Sequence, residues 1–472
     1  MFKSRTRERR IFTNRQRIRR RSSGLWVLVS IALILLVSEL LVRIFIDLSG
    51  NKREFSQAQT GSEITDAYNL KFVTDKSSSN QDPKNQSQLK AQPSLAVGYR
   101  LLGNQEHKYW QINEQGFRDR DPVPATKPKN EIRIFLLGGS TAFGYGSSSN
   151  EATISEQLET RFQQRLQQQK SSPQLYKPDL LSFEPQKKQK QLAKPSKIKP
   201  GNYRVINAAV PGYTSGNELA QVALQLLKFK PDLMVVLDGY GDLMLPSTEE
   251  ATQVPLIKQY LDNQQTDFAS YVSQILKPLE QKSYLVKILQ DGWLNADKSD
   301  KKANFFLNEQ TSNLVLHLPP NETELQKRVD RYISHQKQIL NLSAAAQIPL
   351  VVAIQPEITG RNPSQLTETE GEIATQLGRT YIQQVKASYP AFTQANRQLA
   401  QAFPQNIKAV DLYQLTEQYP SPTFIDPIHL QDAANQKVAE QLYYAIASFP
   451  KMQVVPAQAA PPKPINPTQY LN

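Results

Sequence analysis

The sequence predicts an α/β protein with a parallel sheet, because short apolar runs alternate along the chain with segments of helical periodicity. Five runs have the length and composition of buried strands: 132–137, 203–208, 233–237, 349–354 and 409–412. Helical patterns lie at 154–166, 217–228, 325–345, 372–402 and 432–448. Strands joined through helices pair in parallel by right-handed crossovers, so we expect helices on both faces of one sheet.

Polar segments stand where the predicted strands end. A Gly-Gly-Ser-Thr segment at 138–141 follows the first strand, and segments at 207–215 and 238–242 follow the second and third. An Asp-Pro-Ile-His segment at 426–429 follows the last strand and precedes the last helix. Ligands of parallel α/β sheets bind at the carboxyl ends of the strands, so four such segments on one rim predict an active site.

Two of these segments hold the side chains of a nucleophilic triad. Ser140 is a weak nucleophile until a histidine takes its proton, and a carboxylate must orient that histidine. Only one of the four histidines, His429, has an aspartate three residues earlier, and that spacing lets Asp426 reach the imidazole. The alternative for Asp426 is a helix cap, and the alternative for the glycine-rich turn is a phosphate cradle, although no Walker lysine accompanies it.

The four segments, in this order, resemble the SGNH (GDSL-type) hydrolases, and the Asn-x-x-Gly-Phe-Arg sequence at 113–118 resembles a lead-in of membrane-anchored envelope members. The resemblance covers roughly residues 133–442. It implies a flavodoxin-like three-layer α/β/α sandwich with a five-stranded parallel sheet. It also implies that Ser140 is the nucleophile, His429 the general base and Asp426 its orienter.

The resemblance further implies an oxyanion hole made by the amides of Ser140 and Gly212 and by an asparagine side chain in the third segment. This chain has Gly241 where that asparagine is expected. Losing one oxyanion donor costs about 10²–10³ in rate, so the third donor must come from elsewhere or be missing. The candidates are the backbone amide of Gly241 and the side chain of Gln355 at the end of the fourth strand.

Charge and composition exclude several classes of function. The chain lacks cysteine, which excludes a thiol nucleophile, cysteine zinc ligands and disulfides. Residues 1–23 hold ten Lys or Arg and one Glu, so this tail carries +9 of the net +13. No nucleic-acid-reading motif accompanies it, although a basic arm that binds RNA is the alternative. We predict no nucleic-acid partner, no cofactor and no metal.

A basic tail directly before an apolar segment is typical of a signal anchor. Residues 24–42 would form a helix about 28 Å long, close to the hydrocarbon thickness of a membrane. The charge asymmetry keeps the N-terminus in the cytoplasm, and the flank lacks the small-x-small site of a cleaved signal peptide. We therefore predict a single-pass anchor at 24–46 in the inner membrane, with the remaining domain outside the cytoplasm.

The remaining organisation follows from composition. We predict a disordered linker at 49–95, a hydrolase-like domain at 96–450 and a Pro-rich disordered tail at 451–472. Within the domain, 165–202 reads as a disordered Gln/Lys/Pro-rich insertion. The segment 245–320 reads as a lid insertion with helical patterns at 256–261 and 271–279.

Three functions fit the sequence. The first is an extracytoplasmic serine esterase that hydrolyses acyl esters, with O-acetyl groups on an envelope glycan as the candidate substrate. The second is an O-acyltransferase that uses the same three side chains to acylate an envelope polysaccharide. The third is an inactive or slow module that binds glycan or acts as a scaffold, and Gly241 is its main support.

Overall fold

The computed structural model describes residues 64, 66–73, 88–94, 97–249, 314–414 and 419–460, and the compact unit that contains them begins at Ile64. We number all strands and all α-helices of the described residues in chain order. The strands are β1 Leu70–Phe72, β2 Leu89–Ser94, β3 Gly98–Leu101, β4 Gln105–His107, β5 Trp110–Ile112, β6 Glu131–Gly138, β7 Leu180–Leu181, β8 Asn202–Asn207, β9 Leu233–Asp238, β10 Leu350–Ile354, β11 Ile407–Asp411 and β12 Ala457–Gln458. The helices are α1 Ser140–Phe143, α2 Ile154–Ser171, α3 Pro185–Leu192, α4 Ser215–Gln221, α5 Tyr240–Met244, α6 Glu322–Ala345, α7 Glu368–Ala402 and α8 Asp432–Ala447.

The main sheet has five parallel strands in the order β8-β6-β9-β10-β11. Numbered by position along the chain, that order is 2-1-3-4-5, the flavodoxin-like order, whose switch point lies between the first and third strands. The predicted parallel α/β sheet is confirmed. Each predicted strand lies within two residues of the observed one, because long apolar runs leave few alternatives for a strand buried on both faces.

Both faces of the sheet carry a hydrophobic core. Along β9, Leu233, Val235 and Leu237 pack in one cluster, while Met234 and Val236 pack in the other. Helices α2 and α8 contribute to the first cluster, and α4 and α6 contribute to the second. Because successive side chains of a strand point to opposite faces, one continuous apolar run contributes to the core on both faces of the sheet.

Caps on the helices explain where several of them begin. The Thr153 and Asn321 side chains accept from amides in the first turns of α2 and α6, and Thr367 and Glu370 form a capping box at α7. The predicted helix at 217–228 begins earlier, at Ser215, and continues past α4 through a π turn and a 3-10 turn. It ends at Lys230, whose φ is 54°.

The predicted disordered insertion at 165–202 is wrong, because this segment is folded. Helix α2 continues to Ser171, and β7 and α3 follow it. The start of the predicted tail is also folded, since β12 pairs in parallel with β7. Backbone hydrogen bonds to a distant segment stabilise a polar sequence that could not build a core alone.

The predicted linker and domain boundary also need correction. Residues 66–73 and 88–94 belong to the fold, since Tyr68 and Leu89 are fully buried and β1, β2 and β3 form a small sheet. The domain therefore begins near residue 64 instead of at 96. These strands escaped prediction because each has only three to six residues, in which apolar and polar residues are mixed.

Other predictions lie outside the described residues. The anchor at 24–46 is among them, as are the candidate helices at 256–261 and 271–279. In the part of the chain that the structure describes, no helix is long and apolar enough to cross a membrane.

A buried acidic pair lies where β9 faces α4. Burial and, to a lesser extent, the nearby Asp242 raise the pKa of Asp238 to about 8, and burial holds the pKa of Glu218 well above its usual range. The pair therefore binds at least one proton at neutral pH. Glu218 and Asp238 are both buried, so ionising the two carboxyls together would place like charges next to each other in the core.

We predict that stability falls as the pH rises from about 4 to about 8. In that range the unfolded carboxyls have released protons that the folded pair still binds, so the slope approaches about 1.4 kcal/mol per pH unit for each proton. Asp238→Asn should flatten the slope measured by urea denaturation of the full chain in detergent. The Asp330→Asn control, at an exposed site, should leave this pH dependence unchanged. An unchanged slope in Asp238→Asn would contradict the protonation of the Glu218–Asp238 pair.

Candidate active site

The nucleophile candidate stands on a tight turn between β6 and α1. Ser140 is the first residue of α1, so its amide has no acceptor within the helix. Gly138 has a φ of 149°, and a Cβ there would lie 2.2 Å from the carbonyl oxygen of Leu237. Only glycine allows β6 and β9 to approach so closely at this point. The turn places the Ser140 side chain at the carboxyl rim of the sheet, where it is 5% exposed.

The Asp426–His429 pair is held by its own loop. A bridge between Phe424 and Leu430 closes the loop, and the amides of Ile428 and His429 donate to Asp426 Oδ1 at 3.0 and 2.7 Å. Asp426 Oδ2 lies 2.5 Å from His429 Nδ1. The helix-cap alternative for Asp426 does not apply, because the residue at the N-cap of α8 is Gln431.

The charge state of Asp426 suits the role of orienter. Burial raises the pKa of this carboxyl, but the adjacent His429 and the two backbone amides lower it more, so the net shift is downward. Asp426 is therefore ionised at neutral pH. An ionised carboxylate at Nδ1 fixes the imidazole so that Nε2 is the nitrogen that exchanges protons.

The structure brings the serine turn and the Asp–His loop together. The Thr141 hydroxyl donates to the carbonyl oxygen of Ile428 at 3.2 Å. The Tyr145 ring stacks on the His429 ring with centroids 4.2 Å apart, and the amide of Tyr145 donates to the carbonyl oxygen of Ser140. The residue that supports the imidazole is thus bonded directly to the backbone of the nucleophile candidate.

The structure gives different surroundings to the candidates for the third oxyanion donor. The Gln355 amide donates to Thr141 Oγ1 at 2.9 Å, so this side chain supports the α1 turn. Gly212 has a φ of 83°, which favours glycine in the second segment. At Gly241 a Cβ would lie 3.0 Å from Thr214 Cγ2 and 3.2 Å from the carbonyl oxygen of Tyr213. A side chain at position 241 would therefore require the second segment to shift slightly.

A second serine, histidine and aspartate meet behind the rim. Asp242 accepts from both the amide and the hydroxyl of Ser215, and the same hydroxyl lies 2.9 Å from His335 Nδ1. Here the carboxylate contacts the serine instead of the imidazole, so the order of a catalytic triad is absent. The contact ties the third segment to the start of α4. Among the described residues, no three side chains of metal-ligand type converge as a metal site.

Arg118 is a site residue whose role the sequence did not predict. Its guanidinium is 3% exposed, and Nη1 donates to the carbonyl oxygens of Phe143 and Gly144, the last residue and the C-cap of α1, at 3.0 and 2.7 Å. Nη2 donates to the hydroxyl of Tyr68 and the carbonyl oxygen of Tyr109. Burial lowers the pKa of Arg118, although the proximity of Tyr68 raises it in part.

The lead-in sequence explains how Arg118 arrives there. Asn113 Oδ1 accepts from the amides of Gln115 and Phe117, and Gly116 has a φ of 85°. This turn sends Arg118 toward the end of α1, and its amide donates to the carbonyl oxygen of Asn207. The Asn-x-x-Gly-Phe-Arg pattern was the sequence feature that could have pointed to Arg118. The carbonyl of Phe143 to which Arg118 donates lies 25 residues away, so the pattern alone does not predict this contact.

Comparison with known proteins gives matches among solved structures only. No protein-family model and no curated protein matches the chain. Of the solved structures, 47 chains match. The lipase/acylhydrolase from Enterococcus faecalis is 12% identical, with a TM-score of 0.32, and the match covers 70% of this chain and 100% of that one.

Two further matches are of the same kind. A GDSL-like lipase from Bacteroides thetaiotaomicron is 10% identical with a TM-score of 0.27, over 66% of this chain and 87% of that one. A two-domain esterase active on acetylated mannans is 14% identical with a TM-score of 0.30, over 70% and 52%. The chain thus resembles GDSL-type acylhydrolases and esterases. The fold itself follows from the strand order of the main sheet.

We predict that Arg118→Met lowers the free energy of unfolding by roughly 3 kcal/mol, because buried carbonyls lose a charged donor. Arg118→Lys should lower the free energy of unfolding by less, because it keeps a charged donor. The comparison is made by urea denaturation of the full chain in detergent. The exposed Arg397→Met variant, which loses a surface ion pair with Asp411, should change stability by less than about 1 kcal/mol. An Arg118→Met midpoint equal to that of the unsubstituted protein would refute the capping role.

Proposed function

We propose that this protein is an SGNH-type serine esterase, with Ser140 as nucleophile, His429 as general base and Asp426 as its orienter. One observation carries the proposal. The Asp426–His429 pair packs against the turn that begins α1, through Tyr145 stacked on the imidazole and Thr141 bonded to the loop. An oriented imidazole whose loop bonds to the helix start that carries a rim serine suits acyl transfer.

The proposed reaction has two halves. Ser140 Oγ attacks the acyl carbon of an ester while His429 Nε2 takes the hydroxyl proton. The tetrahedral oxyanion is bound by the amides of Ser140 and Gly212, and its collapse passes the proton to the leaving alcohol. Water then attacks the acyl-enzyme with the same histidine as base, which releases the acid and restores the serine.

The third oxyanion donor distinguishes this site from the family pattern. The absence of the family asparagine favours a slow enzyme or a binding module as the second candidate function, and the Gly241 backbone amide is the alternative third donor. A Cβ at Gly241 would lie 3.0 Å from Thr214 Cγ2, so a side chain there requires Thr214 to shift slightly. An O-acyltransferase would use the same residues with a sugar hydroxyl in place of water.

We further propose that the protein is held in the inner membrane by residues 24–46, with its N-terminus in the cytoplasm. The support is the sequence alone: an apolar segment of membrane length that directly follows a tail of net charge +9. In that setting an O-acetylated envelope glycan is the candidate substrate, because a tethered enzyme reaches large polymers nearby.

We predict that a fluorophosphonate probe labels the full chain in detergent and that Ser140→Ala abolishes the labelling. His429→Ala should reduce the labelling rate strongly, because the serine loses its base. Ser215→Ala is the matched control, since Ser215 also lies beside a histidine and an aspartate but outside the proposed triad. Labelling that is absent from the unsubstituted protein, or that persists in Ser140→Ala, would refute the esterase.

We also predict that the double variant Gly241→Asn/Thr214→Ser hydrolyses p-nitrophenyl acetate faster than the unsubstituted protein, by up to about 10²-fold in kcat. The second change removes the methyl group that crowds position 241. Gly241 does not have a positive φ, so asparagine is compatible with the backbone there. Thr214→Ser alone is the control, and a double variant no faster than this control would show that a third donor is already present.

A further inference from the structure

The face opposite the rim carries a folded insertion. Residues 172–201 connect the end of α2 to the start of β8, and Asn202 pairs with Glu131, the first residue of β6. The insertion therefore lies at the amino ends of the strands. We call the surface formed by residues 172–201 and 450–458 the basal face.

The C-terminal segment fixes the basal face. The Lys199 amide donates to the carbonyl oxygen of Met452 at 2.9 Å, and the Val454 amide donates to that of Lys197 at 2.9 Å. Further along, the Ala457 amide donates to the carbonyl oxygen of Asp179 at 2.8 Å. The side chains of this face thus project from a defined backbone.

The basal face concentrates positive charge. Residues 172–201 and 450–458 hold eight Lys and two acidic residues, a net +6, whereas all residues after 23 together carry only +4. Lys197 pairs with Asp179, but Lys187, Lys190 and Lys194 are exposed on or next to α3. The rest of the chain beyond the tail is therefore net negative, and this one face attracts anions.

The basal face also exposes large apolar side chains. Leu181 of β7 is buried, so its neighbour Leu180 points outward and is 57% exposed. Phe183 is 50% exposed and Leu192 is 43% exposed. The Ser182 amide bonds to Gln191 Oε1, which brings the segments of Phe183 and Leu192 side by side. Exposed apolar groups among cations mark an interaction surface more often than a solvated one.

We propose that the basal face docks on an anionic lipid surface. Lysines near such a membrane contribute about 1 kcal/mol each, and Leu and Phe side chains enter the boundary between headgroups and acyl chains. An anionic polysaccharide would pair with the lysines but would leave the apolar side chains in water. Docking by this face turns the catalytic rim away from the lipid, toward substrates in the envelope.

The absence of cysteine allows a direct test. A single Gln189→Cys substitution on α3 carries an environment-sensitive fluorophore, and Ser364→Cys, in an exposed turn that follows β10 on the rim side, carries it in the control. The full chain is reconstituted in phosphatidylcholine nanodiscs with or without phosphatidylglycerol. We expect a blue shift of emission at position 189 only with phosphatidylglycerol, and none at position 364 in either lipid.

Two sets of variants separate the contribution of the lysines from that of the apolar side chains. Lys187→Glu/Lys190→Glu/Lys194→Glu should abolish the shift, as should high salt, because the attraction is electrostatic. Leu180→Ser/Phe183→Ser/Leu192→Ser should reduce it. The proposal is overturned if position 189 does not respond to phosphatidylglycerol. It is also overturned if polygalacturonate produces the same shift without anionic lipid, which would identify a glycan surface instead. Neither outcome depends on esterase activity.

Discussion

The buried guanidinium of Arg118 is the contact on which the geometry of the rim depends. It joins the end of α1, the Tyr68 segment and the backbone near Tyr109 through charged hydrogen bonds inside the core. Asn207 Nδ2 and the Ser147 amide also donate to these two carbonyls, so Arg118 adds their charged donor and ties the end of α1 to the Tyr68 segment. Residues N-terminal to the sheet thus belong to the site, because they hold the turn that carries Ser140.

The rim has two layers of support. In the first, Asp426 orients His429, Tyr145 stacks on the imidazole, and Thr141 bonds to the loop. In the second, Asp242 and Ser215 join the segments that hold Gly241 and Gly212. The first layer holds an imidazole oriented by a carboxylate, whereas the contacts of the second layer crowd Gly241. Under the proposed function, this second layer would set the positions of the backbone amides at Gly212 and Gly241.

Sequence reasoning succeeded where contacts are local. The five strands follow from their apolar runs, and the Asp–His contact follows from a spacing of three residues within one loop. It failed where partners are distant. Nothing within 165–202 indicates β7, because its partner β12 lies about 277 residues away, and the role of Arg118 depends on carbonyls in another segment. Composition also misled, since a polar segment needs no core of its own when neighbouring backbone satisfies its hydrogen bonds.

The pairing of β12 with β7 has a consequence for biosynthesis. The chain emerges from its N-terminus, so the insertion exists long before residues 450–458 are made. The edge of β7 therefore stays unpaired until residues 450–458 have been synthesised, and the Asp426–His429 loop is made only shortly earlier. Under the proposed topology, a partly translocated chain would expose its cationic face at the membrane before β12 and the Asp426–His429 loop are in place. Under the proposed function, synthesis of these late segments would then couple closure of the basal face to the onset of activity.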